Sequence, residues 1–258
     1  MAIEANRIMI ASDELNLSEK QMFSFFRSIP KELESSVGLM GGWAVNYLLE
    51  KRKIKHVGSR DIDIFYDSAS VTYETITELI ARQRFEPHST FRWAKFYDRR
   101  TGKQIGEDES KTIEQYNLIT IYLDLAAPSA IGDHVMHEPL LRDVFAGKCE
   151  RWYSQGSQIL LPEIGIMVKI KIKTVPKRVD NFKRQKDLVD LVAMLKNIQS
   201  LWLIKDGVAV HLREDLRDAH AFALKKELSR FSRDGTINVV ADTLGLDSNV
   251  VLEILRRL

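Results

Sequence analysis

From Leu39 to Asp67 the chain reads LMGGWAVNYLLEKRKIKHVGSRDIDIFYD, and no other stretch limits the fold so much. VGLM is short and apolar, as a buried strand is, and it runs into Gly41-Gly42. From Trp43 to Lys51, Ala44, Tyr47 and Leu48 fall on one face at helical spacing. DIDIFYD then alternates with the period of a half-buried strand. A strand, a glycine turn, a helix and a second strand therefore follow one another within some thirty residues.

The alternation poses a chemical question. Residues i and i+2 of a strand project from the same face, so Asp61 and Asp63 point the same way while Ile62 and Ile64 face the core. Two carboxylates that close repel each other and raise each other's pKa unless a cation lies between them. Hard oxygen donors at that spacing suit Mg²⁺, which keeps several waters and also binds substrate phosphates. NLITIYLDLAAP repeats the device: Ile119, Ile121, Leu123 and Leu125 take one face and leave Tyr122 and Asp124 on the other. If the two strands are neighbours, Asp124 is a third ligand and two metal ions can be held, with Mn²⁺ as a substitute, as in-line phosphoryl chemistry requires. Gly41-Gly42 supplies the complementary part. At a strand-to-helix junction, free N–H groups and the helix dipole favour an anion, and glycine lets a phosphate approach the backbone. Together these features predict a nucleotide held against metal by the aspartates.

Elsewhere the pattern predicts a helix over Leu17–Leu33, broken near Pro30, and another over Val71–Gln83. TFRWAKFYD reads as a strand followed by a hairpin turn at RRTGKQ, and ERWYSQGSQILLP as a hairpin around Gly156. After Pro162 strand signals almost vanish and helices fill the chain. The expected organisation is an α+β core over residues 1–160 and a helical region over 161–258. IGIMVKIKIKTV is ambiguous: its period of two suits a strand, whereas Pro162 and Glu163 suit a helix start.

Composition excludes several classes. The 258 residues carry one cysteine, Cys149, so an intramolecular disulfide and a Cys-rich zinc site are ruled out. No apolar run reaches the roughly 20 residues of a membrane span, and the start lacks a signal pattern, so a cytoplasmic protein without membrane association is expected. Net charge is only +2, but Lys169–Lys186 is dense in Lys and Arg against the single acid Asp180, a local field suited to phosphates.

With these residues in view, the sequence resembles nucleotidyltransferases of the DNA polymerase β superfamily. That signature is an apolar strand, paired glycines, a helix, an Asp-x-Asp strand and a third carboxylate on a later strand, matched by Gly41, Gly42, Asp61, Asp63 and Asp124. The resemblance is greatest to the AbiEii/AbiGii type, which includes type IV toxins, and covers roughly residues 37–195. Lys169 and the KDLVDL motif at Lys186–Leu191 match its helical region. The resemblance implies a small mixed sheet, two Mg²⁺ ions, a bound NTP, and a helix over IMVKIKIKTV with Lys169 and Lys173 stacked toward the phosphates. It further implies that Asp124 holds the nucleophile-side metal or acts as base, and that Asp187 or Asp190 orients the lysine or the acceptor hydroxyl. The implied acceptor is RNA, tRNA or a protein, with an antitoxin as partner. GGWA, at Gly41–Ala44, matches instead the antibiotic nucleotidyltransferases, whose acceptors are small hydroxyl compounds. Arg60 stands where a small hydroxyl residue is common, with Ser59 beside it; either is a candidate phosphate contact.

Weaker signals read more simply. His134 and His137 are expected to be loop residues, because no third nitrogen or sulfur ligand is spaced with them. Trp93, Phe96 and Tyr97 are expected in the core rather than stacked on a base. The end, 237–258, has helix-turn-helix spacing around Gly245, although a simple helical hairpin fits its exposed Asp247, Asn249 and Glu253 better. A DNA-binding regulator, or an NTP sensor without turnover, is the non-enzymatic alternative.

Overall fold

The computed structural model describes residues 7–200 and 218–258. The first six residues, read above for a targeting pattern, and residues 201–217, read as part of the helical region, lie outside the described ones. The chain divides into two compact units, Ile10–Glu163 and Met1–Met9 with Ile164–Leu258.

The larger unit is a mixed sheet with helices. In chain order it contains α1 (Ser12–Arg27), β1 (Val37–Met40), α2 (Gly41–Glu50), β2 (Ile62–Tyr66), α3 (Tyr73–Arg82), β3 (Glu86–Ser89), β4 (Arg92–Asp98) and β5 (Lys103–Ile105). The short α4 (Glu107–Ser110) follows, then β6 (Leu118–Ala127), β7 (Met136–His137), α5 (Leu141–Phe145), β8 (Cys149–Ser154) and β9 (Ser157–Pro162). The strand order is β3-β4-β6-β2-β1-β9-β8, with β5 on β4 and β7 on β6. β2 runs parallel to β6 and antiparallel to β1, and β4 runs antiparallel to β6.

Burial explains these strands. Ile62, Ile64, Ile121, Leu123 and Leu125 are fully enclosed, as the alternation predicts, but Phe65 and Tyr66 are enclosed too, so β2 is covered on both faces at its end. Trp93, Phe96 and Tyr97 are buried as expected. The β8–β9 hairpin turns on Gln155 and Gly156, both with positive φ, which is the backbone a tight two-residue turn needs. Helix α1 begins at Ser12, earlier than the apolar pattern predicted, with Asp13 and Glu14 in the first turn complementing the helix dipole. It ends at Arg27, and Pro30 introduces a separate 3-10 turn at Lys31–Leu33. No sequence pattern marks β3, whose Pro87, His88 and Ser89 are exposed. Pro87 is tolerated there because β3 lies at the sheet edge. β7 and α5 likewise occupy what read as a plain loop; His134 and His137 are exposed in it.

Lys95 on β4 is 5 % exposed, donates to the Gln21 side chain and lies 4.5 Å over the Phe85 ring. Burial, helped by Arg84, pushes its pKa down to about 8. Between pH 10.5 and 8 the unfolded chain takes up a proton at this lysine and the folded chain does not. Stability from this group is therefore lost as pH falls through that window and is constant below it. Lys95→Met is expected to flatten the pH dependence of unfolding free energy between about pH 8 and 10, measured by urea denaturation at a series of pH values.

The smaller unit is helical: α6 (Ile164–Thr174), a 3-10 turn (Val175–Lys177), α7 (Asn181–Ser200), α8 (Asp218–Arg233), α9 (Thr236–Leu244) and α10 (Ser248–Arg256). The ambiguous IGIMVKIKIKT is thus a helix. Its 3.6-residue period is hidden because Ile166 through Ile172 are all buried, lysines 169 and 171 included. Gly245 ends α9 in the left-handed conformation, with Leu246 N–H bonded to Ala241 O, and Asp247 caps α10 through Asn249 N–H. α9 and α10 form a helical pair whose second member exposes Asn249 and Glu253, with Arg256 and Arg257 only at its end. Ile8 is buried and its N–H donates to Thr243 Oγ1.

Candidate active site

Four strands set the geometry. Asp63 on β2 is in register with Met40 on β1 and with Asp124 on parallel β6, and Asp124 is in register with Arg92 on β4. Neighbouring strands lie about 4.8 Å apart, so the Asp63 and Asp124 side chains leave the same face side by side. Asp61 stands two residues before Asp63. The sequence expectation that the two aspartate strands are neighbours is met.

β1 ends at Met40 and α2 starts at once with Gly41, whose φ of 66° lies in the left-handed region. A Cβ at Gly41 would fall 1.9 Å from Asp63 Oδ2. The backbone of the turn is therefore pressed against the carboxylate, and only glycine permits both the conformation and the contact. The N-cap residue, Met40, makes no side-chain cap hydrogen bond, and a helix start favours anions. Gly42 is buried in that turn.

The third carboxylate has a partner that sequence reasoning missed. Arg92 donates from Nε and Nη2 to the two oxygens of Asp124, each at 2.6 Å, and its guanidinium lies 4.5 Å from the Tyr122 ring centroid. These bonds, together with the field of Asp61 and Asp63, raise the Arg92 pKa despite partial burial. One strand arginine in TFRWAKFYD carries no signal without the register that sets it opposite Asp124. Arg60 reaches toward Asp61, Nε to Oδ1 3.6 Å, and toward Glu14 at 3.9 Å, while Ser59 is buried. The side chains of Asp61, Asp63, Asp124, Arg92 and Arg60 sum to one negative charge.

The hard-oxygen donors are Asp63 and Asp124, in register on adjacent strands, and Asp61 just ahead of β2, beside a glycine turn that leaves no room for a side chain. Among the described residues no group of three or more His, Cys, Asp or Glu converges as a ready cage. Both oxygens of Asp124 are engaged by Arg92.

In the helical unit, Lys169 is buried and Lys173 half-buried. The carboxylates of KDLVDL grip a lysine not singled out from the sequence: Lys171 Nζ bonds Asp187 and, at 2.6 Å, Asp190. Arg178 Nε lies 2.7 Å from Asp187, and Lys186 Nζ 3.7 Å from Asp190. Burial alone would push the Asp187 carboxyl up; Lys171 and Arg178 outweigh it and hold the pKa below the usual range. The period-two alternation of α6 could have drawn attention to Lys171 as readily as to Lys169, but nothing in it ranks the two.

Trp43 is a packing residue. It is 4 % exposed, its indole donates to Ser18 Oγ at 3.0 Å, and it continues a stack through Tyr47 to Trp152.

No family model matches the chain, and no curated protein does. Among solved structures it is similar to an antigenic nucleotidyltransferase-like protein from Paracoccidioides brasiliensis, at 17 % identity over 84 % of this chain and 95 % of that one, with a TM-score of 0.44. No helix among the described residues is long and apolar enough to cross a membrane.

Proposed function

We propose that the chain is a nucleotidyltransferase that moves an NMP from an NTP to an acceptor hydroxyl with release of pyrophosphate. One observation carries the reading: Asp63 and Asp124 sit side by side on parallel strands while the glycine turn that opens α2 touches Asp63. In this reading the N–H groups at Gly41 and Gly42 take the phosphates, and Asp61 and Asp63 hold divalent cations, with Asp124 joining them. Divalent cations at such a site lower the pKa of the attacking hydroxyl and stabilise the leaving charge. The acceptor oxygen bonds to the α-phosphorus as the α–β bridging bond breaks, and its proton passes to Asp124. Ser59 and Arg60 flank the phosphates. Lys169, Lys173, Asp187 and Asp190 belong to the proposal through the resemblance alone.

We assign RNA, with tRNA included, or a protein hydroxyl as acceptor class. The resemblance to toxins with an antitoxin partner supports it, and Trp43, the residue that pointed to antibiotic acceptors, is accounted for by packing. A second reading, nucleotide binding without turnover, is favoured by Arg92, which engages both oxygens of Asp124.

The test is incubation with Mg²⁺ and each α-labelled NTP, in parallel with total RNA, with protein only, and with a panel of aminoglycosides and lincosamides. Label on RNA or protein supports the proposal. Label on an antibiotic selects the small-molecule alternative. NTP binding by calorimetry without any labelled product selects the second reading, and absence of binding overturns the assigned pocket.

A further inference from the structure

A cleft in the helical unit has no part in the transfer chemistry proposed above. It encloses about 200 Å³ between α8 and α10 and is lined by Lys225, Leu228, Ser229, Ser232, Leu252 and Arg256. The four residues from α8 fall at i, i+3, i+4 and i+7 and the two from α10 at i and i+4, so each set shares one helix face. The two leucines supply an apolar wall, and the rest of the lining is two cations and two hydroxyls. Among the described residues, neither Lys225 nor Arg256 has an acidic partner. The acids nearest to the cleft residues in sequence are each held by another arginine: Glu227 by Arg230 at 2.8 Å, Asp234 by Arg184 at 3.0 Å, and Glu253 by Arg257. Ser232 Oγ donates to Leu228 O at 3.0 Å, whereas Ser229 Oγ makes no hydrogen bond among the described residues.

The cavity is smaller than the roughly 300–1,000 Å³ that takes a whole ligand, so it suits one charged group of a larger molecule. A phosphate matches the lining, because it brings negative charge and several acceptor oxygens to a guanidinium, an ammonium and a hydroxyl. Lys226 and Arg233, both exposed and each one residue beyond a cleft residue, extend positive charge along α8. Both helices end beside the cleft, at Arg233 and Arg256, and each C-terminus contributes about half a negative charge. The four cations outweigh that. We propose that the α8–α10 cleft binds a phosphate group of an RNA strand, with Lys225 and Arg256 as its charged contacts and Ser229 as a hydroxyl donor. That a phosphate binds is inferred from the cleft; that RNA supplies it rests on the RNA acceptor reading given above. Such a contact holds the strand and carries no base preference.

The test is fluorescence anisotropy of an end-labelled single-stranded oligoribonucleotide titrated with the full chain, without Mg²⁺ or NTP, at a series of salt concentrations. Lys225→Met/Arg256→Met is expected to weaken binding about tenfold and to lower the slope of log affinity against log salt by about 0.7, the value for one phosphate of a single strand. Ser229→Asp, which sets a carboxylate in the cleft at an exposed position, is expected to weaken binding at least as much. Arg230→Met/Arg257→Met removes the same charge from the helical unit outside the cleft, and is expected to change affinity no more than about twofold. Equal weakening by the two double variants would show a general field effect and overturn the proposal. So would RNA binding that Lys225→Met/Arg256→Met leaves unchanged. Inorganic pyrophosphate, titrated by calorimetry, separates the sources of the phosphate. Pyrophosphate binding that depends on Lys225 and Arg256, without any RNA binding, would overturn the RNA assignment and keep the phosphate site. If neither ligand binds, both fall. RNA binding through this cleft by a protein that transfers no NMP would remove the transferase reading and leave the cleft assignment standing.

Discussion

Asp63→Asn is expected to lower transfer of labelled NMP by about 10³-fold, equivalent to about 4 kcal/mol of transition-state stabilisation. The substitution keeps the side chain's size, so the contact with the Gly41 backbone persists, but it removes the charge and one oxygen donor. Its effect on stability should be small. Asp63 lies beside two further carboxylates, and neutralising one of three like charges relieves repulsion. A melting temperature within a few degrees of wild type, or above it, is therefore expected alongside the lost activity. Asp124→Asn separates the two roles of the cluster. It also removes charge, but it leaves Arg92 without its bidentate partner, so it should lose both activity and stability. Full transfer by Asp63→Asn would remove Asp63 from the machinery. A large fall in melting temperature would recast it as a structural residue.

The contrast between these two aspartates shows what the sequence could disclose. Asp61 and Asp63 announce themselves because a charge inside an alternating apolar strand violates the local pattern, and such violations concentrate at functional sites. Gly41 is legible for a related reason, since a strand-to-helix junction needs a residue free of a Cβ. Asp124 was legible as a second violation, but its place beside Asp63 depended on β2 and β6 being neighbours, although α3, β3, β4, β5 and α4 separate them in the chain. Arg92 was not legible at all. A basic residue at a strand start is ordinary, and its meaning comes wholly from the register that opposes it to Asp124. β3 escaped notice because a polar edge strand containing proline has neither the period nor the composition of a buried one. In α6 the failure was of another kind: enclosure on nearly every side erased the helical period and left an accidental alternation.

That enclosure makes α6 the source of the largest expected change in stability. Lys171→Met is expected to cost about 3–5 kcal/mol, the range for removing one partner of a buried ion pair. Lys171 is 5 % exposed and joins Asp187 to Asp190, itself fully enclosed. Burial works against its charge, yet the two carboxylates raise its pKa, so the lysine stays protonated throughout the usual pH range. Once Lys171 is gone, Asp187 keeps Arg178 at 2.7 Å, whereas Asp190 keeps Lys186 at the longer distance of 3.7 Å. The double variant Lys171→Met/Asp190→Leu, which replaces both charges by apolar groups of similar volume, should recover part of the loss. Urea denaturation of the single and double variants measures this directly. The sign of the pH dependence follows from Asp187, whose folded pKa lies below its unfolded value. Its contribution is fully present above about pH 4, the unfolded carboxylate value, and is lost as pH falls through the lower folded one. Wild type should accordingly lose stability on acidification through that window, and Lys171→Met, in which the Asp187 pKa is less depressed, should show a shallower decline from a lower starting stability. Equal stability of Lys171→Met and wild type at neutral pH would mean that the buried cluster contributes nothing to holding α6 and α7 together.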